Sequence, residues 1–463
     1  MKRVAVIGGG ISGLAAAFRL EKQRSAGAPL EYVIFESGNR FGGVIHTEHV
    51  DDCVLEAGPD SFLSEKPWAA DLCRELGLED QLIGSNDAER VTCMLVKGRL
   101  VPIPDGLMFM VPTKLAPSFF SPLFSWHTKL RILGEWFYQP APELADTTVA
   151  AFVERHYGRE MVERVADPLL AGVYGGSADE LSVRSVLPRF LDMEAKHGSL
   201  GRAMVAARKR NSSNRQPKPL FTSLKNGMQQ LVDGLLARIP RQAQRLNTAV
   251  EGVKPESGKW LLFSEGRTQE FDGVIVATPA YIASHLVAAI PAAAEELKAI
   301  PYSSSVTAVF VFDDIVRKSL PPGFGFLVPR GEGRRILAAT FVHNKFPHRA
   351  PRDRAVIRCF LGGSRDEPIL RSSDSDIQNL VLSELRTITG ISAQPLFAQV
   401  QRWNKAMAQY TPGHSERMLR IQKTLGELRG LALAGNAYGG IGVPDCVRSG
   451  TEAAQKMVAE LAS

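Results

Sequence analysis

The chain reads as an α/β protein whose parallel-sheet domain is discontinuous, split by an α+β domain and a mostly helical insertion. Three observations predict this. Residues 4–7 form an apolar strand that runs into Gly8-Gly9-Gly10-Ile11-Ser12-Gly13 and then an alanine-rich helix (Leu14, Ala15, Ala16, Ala17, Phe18, Leu20). Residues 31–36 form a second apolar strand, completing a βαβ unit. Two more short apolar runs, 274–277 and 431–434, appear far downstream, the last just ahead of a closing helix, so the sheet resumes after a long interruption.

Gly8, Gly10 and Gly13 hold the three positions of the Rossmann-like dinucleotide fingerprint. The first allows a tight turn, the second lets backbone approach a pyrophosphate, and the third lets the helix pack closely on its strand. The helix that follows aims its free N–H groups, Ile11 and Ser12 included, and its positive dipole end at that pyrophosphate. Glu36 ends the second strand 23 positions after Gly13, where a carboxylate binds the adenosine ribose.

At 463 residues, two or three domains are expected. The domain reading assigns 1–85, 246–289 and 425–463 to the nucleotide-binding domain. Residues 86–105, 217–245 and 290–424 go to a substrate-binding domain, and 106–216 to the helical one. With 55 Lys+Arg against 49 Asp+Glu the formal charge is +6. That mild excess suits anionic substrates or an anionic membrane surface, and no basic run is dense enough to favour nucleic acid. Arg208-Lys209-Arg210, with Arg215 and Lys218 beyond, reads as an exposed loop. The five cysteines show no CxxC pair, which argues against a disulfide framework. His46-x-x-His49 lacks partner ligands, so no metal site is expected. The chain opens on a strand, from which a cytoplasmic protein without signal peptide is expected.

Residues 66–84 carry an amphipathic helix (Trp68, Leu72, Leu76) ended by Gly77, and 91–103 has strand-like patches. The stretch 102–126 is very apolar yet broken by Pro102, Pro104, Pro112, Pro117 and Pro122, which excludes one long helix. Two readings stand: a core-packed irregular segment, or an exposed apolar patch that touches a membrane or frames an apolar entrance. From Thr147 to about Lys209 apolar residues recur at threes and fours, interrupted by a glycine-rich turn over 168–176. Residues 303–313 and 355–361 are β-rich. Asp445 is expected to N-cap the closing helix.

Arg40-Phe41-Gly42-Gly43, after Glu36, goes beyond the bare fingerprint and resembles the FAD-dependent amine oxidase-like group. A narrower likeness runs from end to end. Leu169-Leu170-Ala171-Gly172-Val173-Tyr174-Gly175-Gly176, Glu194-x-x-His197-Gly198-Ser199-Leu200 and Gly323-Phe324-Gly325-Phe326-Leu327-Val328-Pro329 resemble the porphyrinogen oxidases of heme biosynthesis. So do Phe346-Pro347-x-Arg349-Ala350-Pro351, Phe360-Leu361-Gly362-Gly363, Arg402-Trp403-x-Lys405-Ala406-Met407-x-Gln409-Tyr410-x-x-Gly413-His414 and Gly435-Asn436-x-Tyr438-x-Gly440-Ile441-Gly442-Val443-Pro444-Asp445-Cys446.

The resemblance implies non-covalent FAD, O₂ as electron acceptor, and six-electron oxidation of a porphyrinogen with release of H₂O₂. Protoporphyrinogen IX is the expected substrate and coproporphyrinogen III the alternative. Monomer and homodimer both stay open, as does peripheral membrane contact. By the same resemblance, Gly8, Gly9, Gly10, Ile11, Ser12, Gly13, Glu36, Arg40, Gly42 and Gly43 bind the nucleotide half of FAD, and Val250 holds its adenine by backbone. Gly58, Pro59, Asp60 and Ser61 form the loop beside the flavin ring, and Ile441, Gly442 and Val443 line its pyrimidine edge. The Gly172 carbonyl accepts pyrrole N–H groups, Leu327 and Phe360 sandwich rings, and Thr340 borders the pocket. No acid–base side chain is expected to be catalytic, because the flavin carries the chemistry.

One departure stands out: some relatives place a propionate-binding arginine where this chain has Thr92, with Arg90 and Lys97 nearby. An amine oxidase of the same fold would carry a lysine on the second-domain strand, which here reads Ser303-Ser304-Ser305-Val306-Thr307-Ala308-Val309. A flavin-free escort module of the same fold would have no use for the intact glycine fingerprint.

Overall fold

The computed structural model describes residues 1–140, 145–211 and 218–462, with the side chains of 208–211 left aside. Two sheets carry the molecule. In chain order their strands are β1 (Lys2–Ile7), β2 (Leu30–Phe35), β3 (Thr92–Val96), β4 (Arg99–Pro102), β5 (Gln244–Arg245), β6 (Gly273–Val276), β7 (Tyr302–Asp313), β8 (Gly325–Leu327), β9 (Ala338–Phe341), β10 (Arg354–Gly362), β11 (Phe397–Ala408) and β12 (Leu431–Leu433). Four helices matter for the site: α1 (Ile11–Ser25), α2 (Asp167–Tyr174), α3 (Gln229–Arg238) and α4 (Val443–Ala462).

The first sheet has the order β5-β2-β1-β6-β12, all parallel. Its central strands bury Val4, Val6, Val274, Ile275 and Val276 completely, as a sheet covered on both faces requires. One face packs on α1 and α4. The other packs on a meander (Val250–Glu256, Lys259–Ser264, Arg267–Phe271) and on helices Ala280–Leu286 and Pro291–Lys298. The strands come from residues 2–7, 30–35, 244–245, 273–276 and 431–433, so the discontinuity read from the sequence is present.

The second sheet, order β11-β7-β10-β9-β8-β3-β4, is antiparallel apart from the β8–β3 pair. Alternation divides its faces. Phe310, Phe312, Phe326, Phe341, Ile357 and Cys359 point to a core closed by helix Asp374–Thr389. The opposite face looks towards α2 and the first domain.

Four expectations change. Helix α3 was expected with the substrate-binding segments, yet its Leu231, Val232 and Leu235 share one core with Leu14 of α1. An apolar helical face shows that a partner exists, not which one. Residues 168–174 are helical rather than a turn. Pro168 sits at the first turn of α2, behind a wide turn at Val162–Ala166 that removes the need for its missing N–H, and the chain turns only at Gly175 (φ +60). Arg208, Lys209 and Arg210 lie in a helix whose backbone runs to Asn211, while Arg215 lies outside the described residues. Residues 102–126 split between both readings: Met110, Val111, Leu123 and Phe124 are buried, whereas Phe120 and Trp126 are 81% and 67% exposed.

Candidate active site

The fingerprint turn behaves as its glycines demand. Gly8 sits at φ +109, and a Cβ there would meet the Ala277 carbonyl oxygen at 2.6 Å. At Gly13 a Cβ would lie 1.9 Å from the Gly8 carbonyl oxygen, so only glycine lets α1 approach β1 this closely. At Gly10 a Cβ would meet nothing within 4 Å, which leaves open space above the start of the helix. The first internal bond of α1 runs from the Leu14 N–H to the Gly10 carbonyl, leaving the N–H groups of Ile11, Ser12 and Gly13 facing that space. A free N-terminus beside an unobstructed glycine fits a pyrophosphate.

Glu36 accepts from the N–H of Gly9 (2.8 Å) and of Gly38 (2.7 Å), which locks the carboxylate at the tip of β2. Carboxylate oxygens accept more than one bond each, so capacity remains for ribose hydroxyls. The N–H groups of Asn247 and Thr248 donate to the Gly38 and Glu36 carbonyls, which brings Val250 to the same end of the sheet. Gly42 donates its N–H to the Gly9 carbonyl, and a Cβ on Gly43 would lie 3.2 Å from the Gly10 Cα. Arg40 does not reach out as a free charge. Its guanidinium donates to the carbonyls of Phe41, Gly43 and Ile45, so it fixes the loop that carries the second glycine pair.

Helix α4 returns to this place. A Cβ on Gly450 would sit 2.0 Å from the Ser12 carbonyl oxygen, so α4 and α1 touch backbone to backbone. The helix starts behind Ile441 and Gly442, and the Cys446 N–H donates to the Gly442 carbonyl. Gly442 therefore occupies the capping position. Asp445 lies in the first turn instead, buried and paired with Lys66 at 2.6 Å. A buried acid there still complements the helix dipole. Burial pushes the Cys446 thiol up to about 12, which makes it inert packing.

The loop Gly58-Pro59-Asp60-Ser61 joins the two domains through charge. Lys345 Nζ lies 2.9 Å from Asp60 Oδ2, Arg349 lies 2.9 Å from Glu56, and Arg358 donates to the Gly58 carbonyl. Glu56, Lys345, Arg349 and Arg358 are buried, and Asp60 is half-buried. Burial would raise the Asp60 carboxyl, but Lys345, Arg358 and Arg349 override it and hold it well below the usual carboxylate range. Burial also lowers the Lys345 ammonium, against the pull of Asp60. Trp403 Nε1 donates to the Ala57 carbonyl (2.9 Å), so β11 braces the same loop.

The residues expected to bind substrate come together on the face of the second sheet opposite its buried core. Leu327 of β8 pairs with Ala338 of β9, which pairs with Phe360 of β10. One step along, Thr92, Gly325, Thr340 and Arg358 form a neighbouring row. Leu327, Thr340 and Phe360 are each half-buried in a sheet whose opposite face is fully buried. Arg358, two residues before Phe360 on the same face, lies 4.7 Å from that residue's ring centroid. Across from the sheet stands α2, where a Cβ on Gly172 would lie 3.7 Å from Leu327 Cδ2.

Gln409 Nε2 donates to the Tyr174 carbonyl (2.7 Å), and the Ser364 N–H donates to that of Gly175 (2.9 Å). Among the described residues nothing donates to the Gly172 carbonyl, which stays available as an acceptor. Tyr410 bridges to the cofactor end, donating to the Asn436 carbonyl and accepting from the Gly440 N–H, with His414 stacked on it at 4.1 Å. Burial drops the His414 imidazole to about 4, so it is a neutral support. Residues 194–200 are structural: buried His156 bridges Glu135 and Glu194, and Glu135 accepts from Ser199 and the Leu200 N–H. Among the described residues no group of three metal-ligating side chains occurs.

Sequence reasoning missed the buried charges. Arg349 lay inside a quoted motif and Arg358 two residues from Phe360, where strand alternation alone puts both side chains on one face.

Comparison with known proteins places the chain by class first. It belongs to the flavin containing amine oxidoreductase family, whose pattern matches residues 11–458. A crystal structure of cyclohexylamine oxidase from Brevibacterium oxydans shares the fold, with TM-score 0.70 at 18% identity over 100% of both chains. Within that family it groups with the porphyrinogen oxidases. It is 34% identical to coproporphyrinogen III oxidase of Bacillus subtilis over 98% of this chain and 97% of the relative. It is 32% identical to that of Propionibacterium freudenreichii, over 98% and 90%. A crystal structure from Exiguobacterium sp. 255-15 superposes with TM-score 0.87 at 30% identity, covering 100% and 99% of the two chains.

Proposed function

We propose that this flavoenzyme oxidises coproporphyrinogen III to coproporphyrin III, with non-covalent FAD and O₂ as acceptor. The observation that carries the reading is the cleft itself: Leu327 and Phe360 on a sheet face, opposite the unpartnered Gly172 carbonyl. Flat apolar rings with central N–H donors match that pairing. When bound, the flavin takes electrons in pairs and passes them to O₂, three rounds giving the aromatic product. The chain's own residues bind and orient. Gly10 and the α1 N-terminus hold pyrophosphate, Ile441–Val443 face the pyrimidine edge, Leu327, Thr340 and Phe360 position the macrocycle, and the apolar walls exclude water.

The choice of the four-propionate substrate rests on relatives that bear that name at 34% and 32% identity. Protoporphyrinogen IX, the expectation from sequence, is the second reading; a relative from Arabidopsis thaliana named protoporphyrinogen oxidase 2 is 27% identical. Oxygen consumption and porphyrin fluorescence on both porphyrinogens test this. Turnover of coproporphyrinogen III with higher kcat/KM is expected, and a yellow protein that oxidises neither would overturn it.

The same reading includes a peripheral membrane contact from the cytoplasmic side. No helix among the described residues is long and apolar enough to cross a membrane. Yet Phe120, Trp126, Leu130 and Phe137 stand exposed together with Lys129, whose ammonium lies 4.9 Å from the Trp126 ring centroid. Apolar side chains beside a cation suit an anionic interface. Co-sedimentation with anionic liposomes at low salt is expected, and its absence would remove this part.

A further inference from the structure

At one end of the cleft the β8–β9 connection and the turn after β10 enclose a groove of about 430 Å³ lined by Arg330, Arg334, Arg335, Arg365, Ser364 and Asp366, with Leu337 as apolar floor. Its place relative to the ring-binding residues is fixed by hydrogen bonds. Arg365 Nη1 donates to the carbonyl of Val328, the residue after Leu327 (2.8 Å). Its Nη2 lies 2.7 Å from Asp167 at the start of α2, the helix that carries Gly172. The Leu337 N–H donates to the Phe360 carbonyl (2.8 Å). The groove thus continues the cleft past Leu327 and Phe360, between the sheet and α2.

Its charge is unbalanced on the cleft side. Asp366 pairs with Arg335 at 2.6 Å and Asp167 with Arg365. The other nearby acids have partners elsewhere: Glu332 accepts from the N–H groups of Lys97 and Gly98, buried Glu384 from those of Arg335 and Ile336, and Asp179 pairs with Arg159 while also feeling the charge of Arg330. The side chains of Arg330 and Arg334 make no hydrogen bond or ion pair among the described residues. Arg365 is nine-tenths buried and its Nε has no partner. A buried donor left open at an arginine-lined groove is a place waiting for an acceptor. Guanidinium groups meet carboxylates bidentately, which gives direction as well as attraction.

We propose that this groove is the carboxylate-binding end of the substrate site, and that Arg330 and Arg334 select a tetracarboxylate porphyrinogen over a dicarboxylate one. This rests on the porphyrinogen reading above.

The test is the double variant Arg330→Gln/Arg334→Gln, both side chains being solvent-accessible and outside any ion pair. Kinetics on coproporphyrinogen III and protoporphyrinogen IX are run beside fluorescence titration with coproporphyrin III. For coproporphyrinogen III, KM should rise about tenfold with kcat nearly unchanged, the loss expected from two carboxylate contacts. Coproporphyrin III should bind correspondingly more weakly, while kcat/KM for protoporphyrinogen IX and the flavin content stay as in wild type. Salt at about 0.5 M should erode the wild-type preference and leave the variant's unchanged. Equal effects on both substrates, no effect on either, or a wild type that prefers the dicarboxylate would overturn the subsite. A wild type that oxidises neither would instead overturn the porphyrinogen reading on which it stands.

Discussion

Replacing Gly10 by valine separates holding the cofactor from holding the fold. Gly10 has φ −71, an angle any residue adopts, and a Cβ there meets no protein atom within 4 Å. The apoprotein should therefore lose no more than about 0.5 kcal/mol, the usual scale for a substitution that touches nothing. The new methyl groups occupy the space over the free N–H groups of Ile11, Ser12 and Gly13. A pyrophosphate pushed off that helix end loses one or two charge-assisted hydrogen bonds of about 1.5–3 kcal/mol each. With a share of the dipole term, the sum is about 3–5 kcal/mol, or a 10²- to 10³-fold weaker FAD complex. Gly13→Ala is the control, because its Cβ would sit 1.9 Å from the Gly8 carbonyl oxygen and force α1 off β1. Flavin per chain by absorbance, FAD titration, and thermal melting of both apoproteins read this out. Gly10→Val should melt like wild type and purify colourless, whereas Gly13→Ala should lose stability outright. Stoichiometric flavin in Gly10→Val, or equal melting losses in the two variants, would refute the argument.

Other outcomes follow from the same geometry. Lys345→Met leaves half-buried Asp60 without its main partner and should cost about 1–3 kcal/mol, with Arg358 and Arg349 still nearby, while the double change with Asp60→Asn should recover much of it in a denaturant cycle. Burial would lower the buried His156 imidazole, but Glu135 and Glu194 outweigh that and raise it. Its contribution is therefore complete below its unfolded value near 6.5 and is lost as pH climbs through the raised folded value. Melting temperature should fall with rising pH above that point, and His156→Gln should flatten this slope. Phe360→Ala should raise KM for the porphyrinogen roughly tenfold with FAD content unchanged, since it removes an apolar wall and not a cofactor contact. Phe120→Ser/Trp126→Ser should abolish liposome co-sedimentation while leaving turnover in solution intact.

What the sequence disclosed follows how local each signal is. The glycine fingerprint, the strand ending at Glu36 and the β-rich runs are written in neighbouring residues, and the structure forms each of them. The Gly172, Leu327, Thr340 and Phe360 set was legible only through resemblance, because these positions are brought together from chain segments 13 to 188 residues apart. The partner of α3 was not legible at all, since Leu231, Val232 and Leu235 define an apolar stripe without naming what covers it. The glycine-rich turn expected over 168–176 begins only at Gly175, and Pro168 is accommodated in the helix. A proline ends a helix when the preceding turn needs its N–H, and the wide turn at 162–166 removes that need. Arg40, expected by resemblance at the nucleotide half of FAD, also donates to three carbonyls of its own loop, a role that its charge alone did not disclose.

The buried charges tie the Gly58–Ser61 loop to the second sheet. Glu56 and Asp60 come from the first domain, whereas Lys345, Arg349 and Arg358 come from the second. Removing Glu56 or Arg349 strands a buried charge, so separating these segments carries a penalty of several kcal/mol. Arg358 extends this coupling towards Phe360: its guanidinium donates to the Gly58 carbonyl and lies 4.7 Å from the Phe360 ring centroid. A shift of the sheet face that carries Phe360 would therefore be transmitted to the Gly58–Ser61 loop through this cluster.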